Sequence, residues 1–363
     1  MSPDAGFARL AGRGLVAAGA IAAGAAIGAL AERSLLRRAA LVPGGDGEEF
    51  GMLRGTVHVV EASDGSLLHA EVDDPAQPDP SDLTVVFCHG YALNQDSWHF
   101  QRRAMRGRAR LVFYDQRSHG RSDRAEFDSH HVDQLGSDLG SVIDALAPHG
   151  PLMLVGHSMG GMTVMALAQQ RPELFAERVF GVALIATTAT GLSLGVLGLP
   201  PALGRAVLRL APSVAAVVAR QKDLVERTRW ADTDLGLLLT KVYSFGSNAT
   251  DHAGRFVAGM VSSTAIDVLA EFLPALQDDD RRNALPALQS AEVLVIAGAS
   301  DRLTPKEQSD EIVRHIPGAE YVVIPDSGHM LTIDRHEQVD ALLLALLDRV
   351  RRDVAGMPTD GVA

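Results

Sequence analysis

With 363 residues, 47% of them hydrophobic and 21% charged, the chain can bury one large α/β domain with an insertion or two ordinary domains, and global disorder is excluded. A formal net charge of −12, with scattered arginines and no basic stripe, excludes general affinity for nucleic acid, which rests on Lys and Arg neutralising phosphates. The single cysteine, Cys88, excludes an internal disulfide and a CxxC metal site, and is expected as a buried, inert thiol.

The first apolar stretch, residues 14–31 (GLVAAGAIAAGAAIGALA), is uncharged over roughly 18 positions, close to the lower limit for spanning a bilayer. Arg9 and Arg13 precede it; Arg33, Arg37 and Arg38 follow it. Three readings stand. As a membrane anchor, favoured by Gly24 and Gly28 at helix-packing spacing, it would hold the domain on the cytoplasmic side through the slight arginine excess after it. As a secretory signal it would be cleaved near the Ala-Leu-Ala of residues 29–31 and the protein exported. As an Ala-rich helix it would pack on the domain. The Gly-, Pro- and acid-rich run at 41–50 reads as a linker, so residues 1–50 form an anchor or signal with its linker.

From Gly55 onward, GTVHVVEASDGSLLHAEV gives two β-like runs around the turn pair Asp64-Gly65. After the turn-rich DDPAQPDPSD, short apolar runs (LTVVFC, ARLVFY, LMLVG, VFGVALIA, EVLVIAG, YVVI) alternate with helical patterns such as VDQLGSDLGSVIDALA and TPKEQSDEIVRHI. That alternation predicts βαβ units around a mostly parallel sheet buried on both faces. The interval 191–291 breaks the rhythm with helical periodicity and no strong strand, and is expected as a helical cap inserted between the sixth and seventh strands. Its apolar start, LSLGVLGLPPALGRAVLRLAPSVAAVVA, reads as helix packing inside the cap or as a lid over acyl chains or a membrane. QDDDRRN is expected as a solvated loop leaving it. The predicted core therefore covers 51–190 and 292–352, closed by the amphipathic stretch IDRHEQVDALLLALLDRVRRD, with a flexible tail at 353–363.

Within LMLVGHSMGGM, Ser158 stands in a Gly-x-Ser-x-Gly pattern between an apolar strand and a helix. That arrangement predicts a sharp turn that presents a serine hydroxyl above the sheet at a helix N-terminus. A serine hydroxyl needs a base, and the base needs an orienting acid. Asp301 in VLVIAGASDRLTP and His329 in YVVIPDSGHML each follow a predicted strand, in the chain order Ser, acid, His. Separately, Asp301 reads as a helix N-cap and His329 as an inert loop histidine; together they read as a triad. In VVFCHGYALNQDSW a backbone amide after the strand can face the elbow. Tyr91 is the expected oxyanion donor with Met159, and Ala92 is the alternative. His89 reads as a loop anchor, His119 as structural and His157 as buried or pocket-lining. The adjacent pair His130-His131 reads as a helix start, since neighbouring side chains diverge and no further ligand stands at metal-site spacing.

Together, HGY, YDQRSHGRSD, GHSMGG, GASDRLTP and PDSGHML resemble the α/β-hydrolase superfamily, in its serine esterase, monoacylglycerol-lipase and cofactor-free haloperoxidase-like branch. The resemblance spans about residues 55–351, with the insertion in the place of that family's cap. It implies Ser158 as nucleophile, Asp301 as acid, His329 as base, Tyr91 and Met159 as oxyanion donors, and neither metal nor organic cofactor. It implies hydrolysis of a small-molecule ester of a hydrophobic acyl group; thioesterase, amidase, peptidase or acyltransferase chemistry on the same triad, and a non-catalytic binding role for the fold, are the alternatives. Ser118 departs from the pattern, standing where glycine is usual. Membrane contact is expected through residues 14–31, and no pattern specifies an oligomer.

Overall fold

The computed structural model describes residues 49–192, except 78 and 80, and residues 251–356. The apolar stretch at 14–31, the apolar start of the insertion from residue 193, and residues 357–363 lie outside the described part. The described chain begins with a hairpin, β1 (Thr56–Glu61) and β2 (Leu67–Asp73), then runs through β3 (Thr84–Cys88), α1 (His99–Met105), β4 (Arg110–Tyr114), α2 (Val132–Leu146), β5 (Leu152–His157), α3 (Met159–Gln170), α4 (Pro172–Glu177) and β6 (Val179–Ile185). After β6 the described interval holds α5 (Asp251–Ser263) and α6 (Ile266–Asp278). A 3-10 segment at Arg282–Ser290 then leads into β7 (Glu292–Gly298), α7 (Lys306–His315), β8 (Glu320–Ile324), α8 (Leu331–Asp334) and α9 (His336–Gly356).

The eight strands form one sheet in the order β1-β2-β4-β3-β5-β6-β7-β8. β2 pairs antiparallel with β1 and β4; every later pairing is parallel. Parallel pairing explains the near-continuous apolar runs: β3 and β5 are buried along their whole length because helices cover both faces. Successive residues alternate between the two layers. Val86, Cys88, Leu152 and Leu154 face α2, α3 and the 3-10 segment. Val85, Phe87, Met153 and Val155 face Met105 of α1 and Leu343, Leu346 and Leu347 of α9. Burial pushes the Cys88 thiol up to about 12, so it stays protonated, as its sequence context predicted.

Helix α9 takes the amphipathic C-terminal stretch and runs to Gly356, past the Asp353 where the helical pattern fades. Among the described residues no single helix is long and apolar enough to cross a membrane. The QDDDRRN run is solvated only in part: Asp278, Asp280, Arg282 and Asn283 are exposed, whereas two of its residues turn inward. Asp279 and Arg281 are buried and paired at 2.6 Å, and Arg281 also reaches Asp133 at 2.6 Å and Gln169 at 3.1 Å. Their tertiary partners stand some 110 and 150 positions earlier, at Gln169 and Asp133, so local charge density gave no hint of burial.

A second buried ionic group ties the hairpin to the core. Arg102 of α1 pairs with Asp73 at 2.8 Å and Glu71 at 2.8 Å, all three almost fully shielded. Burial alone would raise the Asp73 carboxyl, but hydrogen bonds from Arg102 and Arg106 hold it below the ordinary carboxylate range.

Candidate active site

In parallel sheets, sites gather beyond the strand C-termini where the winding direction reverses. Here the chain passes from β3 to β4 on one side and returns to β5 on the other, so the reversal lies between β3 and β5. Ser158 follows β5, and the loop carrying His89, Gly90 and Tyr91 follows β3. Asp301 and His329 follow β7 and β8, at the same sheet edge.

Ser158 occupies the turn between β5 and α3 with φ 55° and ψ −120°, a backbone conformation that L-residues pay to adopt. The surrounding structure holds it there. Its amide donates to Ile185 O at 3.0 Å, and its carbonyl accepts from Thr187 Oγ1 at 2.7 Å and from Gly161 N at 2.9 Å. A serine preceding a helix ordinarily spends its hydroxyl on capping. Ser158 makes no such side-chain bond, and its Oγ has no hydrogen-bond partner among the described residues. Close approach dictates the neighbouring glycines. A Cβ on Gly160 would lie 2.0 Å from Cys88 O, and one on Gly90 would lie 3.2 Å from Ser158 Cβ and 2.9 Å from His157 Nδ1. Gly90 therefore lets the β3 loop pass directly against the serine.

The structure brings Asp301 and His329 together, with Asp301 Oδ2 2.9 Å from His329 Nδ1. That contact puts the proton of a neutral imidazole on Nδ1 and leaves the Nε2 lone pair available. Leu303 N and Thr304 N donate to Asp301 Oδ1 at 2.8 and 3.0 Å, and Thr304 Oγ1 donates to Oδ2 at 2.8 Å. Burial by itself would raise the Asp301 carboxyl. The charge of His329, with the hydrogen bonds from His329 and Thr304, brings it below the ordinary carboxylate range. Thr304 escaped the sequence reading, although an Asp followed three positions later by Thr before Pro is a local side-chain-to-backbone turn signal.

His157 joins the elbow to the His329 loop: its Nε2 is 2.9 Å from His329 O and so carries the proton donated there. Burial and the nearby charge of His329 push His157 down to about 3, so it is neutral at physiological pH. The β3 loop is fixed by two more neutral histidines. Gln116 N donates to His89 Nε2 at 2.9 Å, and burial holds His89 down to about 3. Ala92 N donates to His119 Nε2 at 3.2 Å, and burial holds His119 down to about 4. The second of these bonds engages one of the two expected oxyanion donors of the β3 loop. The Ala92 amide is committed to His119, which leaves the Tyr91 amide as the loop's candidate donor beside Met159 at the start of α3. The Tyr91 hydroxyl donates to Leu269 O on α6.

Apolar side chains border these loops. Leu93, Val257 and Met260 of α5, and Met330 form one buried cluster with Phe100 and Ile333, next in sequence to the Tyr91 loop and to His329. Among the described residues no group of three or more His, Cys, Asp or Glu side chains could hold a metal ion. His131 caps α2, accepting from Gln134 N at 3.2 Å.

Known proteins share this architecture. The chain is 28% identical over 279 residues to RutD of Caulobacter sp. (strain K31), provisionally assigned as a carbamate hydrolase, covering 73% of this chain and 90% of RutD. It is 27% identical over 283 residues to the rhodomycin D methylesterase DauP of Streptomyces sp. (strain C5), covering 74% of this chain and 91% of DauP. A bromoperoxidase from Bacillus anthracis superposes with a TM-score of 0.63 at 19% identity, covering 80% of this chain and 99% of that one, a likeness of fold alone. Residues 84–335 match the family description "alpha/beta hydrolase fold". With that match over well more than half its length, on an eight-stranded, mostly parallel sheet covered by helices on both faces, the chain belongs to the α/β-hydrolase family.

Proposed function

We propose that the chain is a serine hydrolase that cleaves a carboxylic ester of a hydrophobic acyl group through Ser158, His329 and Asp301. The observation that carries this reading is the 2.9 Å Asp301–His329 pair, tied through His157 to a strained elbow whose serine hydroxyl is not spent on capping. In this scheme Ser158 Oγ attacks the ester carbonyl as its proton passes to His329 Nε2, with Asp301 balancing the imidazolium. The amides of Tyr91 and Met159 receive the developing oxyanion. His329 returns the proton to the leaving alcohol, then takes one from the water that releases the acid. The apolar cluster of Leu93, Val257, Met260 and Met330 beside these loops supports a hydrophobic acyl group, and the methylesterase relative supports an ester. An acyl–nitrogen substrate is the second reading, supported by the carbamate hydrolase assignment of RutD.

The test is hydrolysis of p-nitrophenyl esters from acetyl to palmitoyl, with a carbamate and an anilide alongside, by the wild type and by Ser158→Ala. Ester hydrolysis that depends on Ser158 and rises with chain length supports the proposal. Folded wild type that leaves every ester intact while cleaving the carbamate or the anilide transfers it to the second reading. We propose further that residues 14–31 attach the domain to a membrane on the cytoplasmic side. Equal solubility of the full chain and of a chain starting at Gly51, with neither exported nor shortened, would overturn that attachment.

A further inference from the structure

A second serine–histidine–carboxylate relay stands outside the site described above. Ser118, in the loop after β4, lies with Oγ 2.8 Å from His130 Nε2, and His130 Nδ1 lies 2.8 Å from Glu271 Oε2 on α6. The connectivity runs from hydroxyl to Nε2 and from Nδ1 to carboxylate, the arrangement that makes an imidazole a base toward a serine. Like Ser158, Ser118 sits in the left-handed region, at φ 62°. Glycine needs no compensation there, whereas a side chain does, and the serine's hydroxyl has been put to use in the relay.

The surroundings favour the same chemistry. Ala125 N donates to Ser118 Oγ at 2.9 Å, so the hydroxyl's own proton is the one directed at His130, and the amide is in place to stabilise negative charge on Oγ. Arg124 Nη1 lies 3.1 Å from His130 Nε2 and shares that acceptor with the Ser118 hydroxyl, while its Nη2 donates to Glu271 Oε2 at 2.6 Å and holds the acid in place. Burial, followed by the positive charge of Arg124, holds His130 below its ordinary range and keeps the imidazole neutral, the form that can accept a proton. The His130 side chain is fully shielded and packs its ring 4.6 Å from that of Phe272, whereas Ser118 keeps partial exposure. The base is thus held dry beside a serine that is partly exposed as a residue.

We propose that Ser118, with His130 as base and Glu271 as its orienting acid, is a second reactive serine that takes acyl or phosphonyl groups from activated electrophiles. In the covalent step Ser118 Oγ bonds to the electrophilic carbon or phosphorus, the leaving group departs with its electron pair, and the Ser118 proton passes to His130 Nε2. Because base and nucleophile come from the core and the acid from α6, reactivity requires that helix to be seated on the core.

The test is independent of Ser158. The full chain carrying Ser158→Ala is treated with a fluorophosphonate, whose fluoride is the leaving group, and the adducts are located by peptide mass mapping. The proposal expects an adduct on Ser118 forming at least about tenfold faster than on other exposed serines, and slowed at least about tenfold by His130→Gln or Glu271→Gln in chains that keep the parent's circular dichroism and melting cooperativity. An absent Ser118 adduct overturns it. So does a Ser118 adduct whose rate is unchanged in a folded His130→Gln chain, which would show ordinary surface chemistry. Loss of Ser158-dependent ester hydrolysis in a separate assay bears only on the proposed function.

Discussion

His157 offers a quantitative test of the elbow's construction. Buried and donating from Nε2 to His329 O, it binds no second proton in the fold until the pH reaches about 3, whereas the unfolded chain binds one below 6.5. A folded value depressed in this way makes the unfolded state the better proton binder, so stability is lost as pH falls from 6.5 toward about 3. Between pH 7.5 and 5.0 the loss from this one residue is about 2 kcal/mol, set almost entirely by the unfolded value because the folded one lies well below 5. The perturbation is His157→Gln, which keeps an amide N–H to offer His329 O and removes the titration. Urea denaturation of both chains at the two pH values supplies the assay. The wild type should lose about 2 kcal/mol more than the variant over that interval. Comparing the two chains cancels the carboxylates Asp115 and Asp279, which burial raises and whose contribution has the opposite sign. Equal losses, within about 0.5 kcal/mol, would refute the neutral, buried His157. His89 and His119, depressed to about 3 and about 4, act in the same direction. The three together lower stability as the pH falls toward 5, offset in part by the raised Asp115 and Asp279.

The remaining predictions concern the site and its frame. Ser158→Ala and His329→Ala should each lower kcat at least about a thousandfold in ester hydrolysis, and less than tenfold for both would sink the triad. Asp301→Asn should cost roughly ten-thousandfold while leaving the melting temperature close to the wild type, because the amide favours the wrong imidazole tautomer. Gly160→Ala places a methyl 2.0 Å from the Cys88 carbonyl, a backbone atom that cannot rotate away. A loss of about 3 kcal/mol or more in thermal or urea unfolding follows, and an unchanged melting point would contradict the tight elbow. Arg102→Met leaves Glu71 and Asp73 buried without their main partner, and should cost about 3–5 kcal/mol measured in the same way.

The sequence by itself determined the order of elements, the mostly parallel sheet and the identity of the triad candidates. These rest on local signals: apolar runs of strand length, a Gly-x-Ser-x-Gly turn between strand and helix, and Asp301 and His329 each placed just after a strand. What it could not determine depended on partners far away in the chain. Tyr91 and Ala92 are equivalent as neighbouring amides until His119 claims one of them, and that bond spans 27 positions. Arg281 and Asp279 look like a solvated charge run until Gln169 and Asp133, 112 and 148 positions away, hold the arginine against α3 and α2. His130 and Glu271 carry no common motif, since Glu271 belongs to α6 and meets the histidine only when that helix lies on the loop after β4. Hydrogen bonds within a few residues leave a periodic or compositional trace in the sequence. Those between distant elements are fixed by packing, and only the tertiary structure decided them.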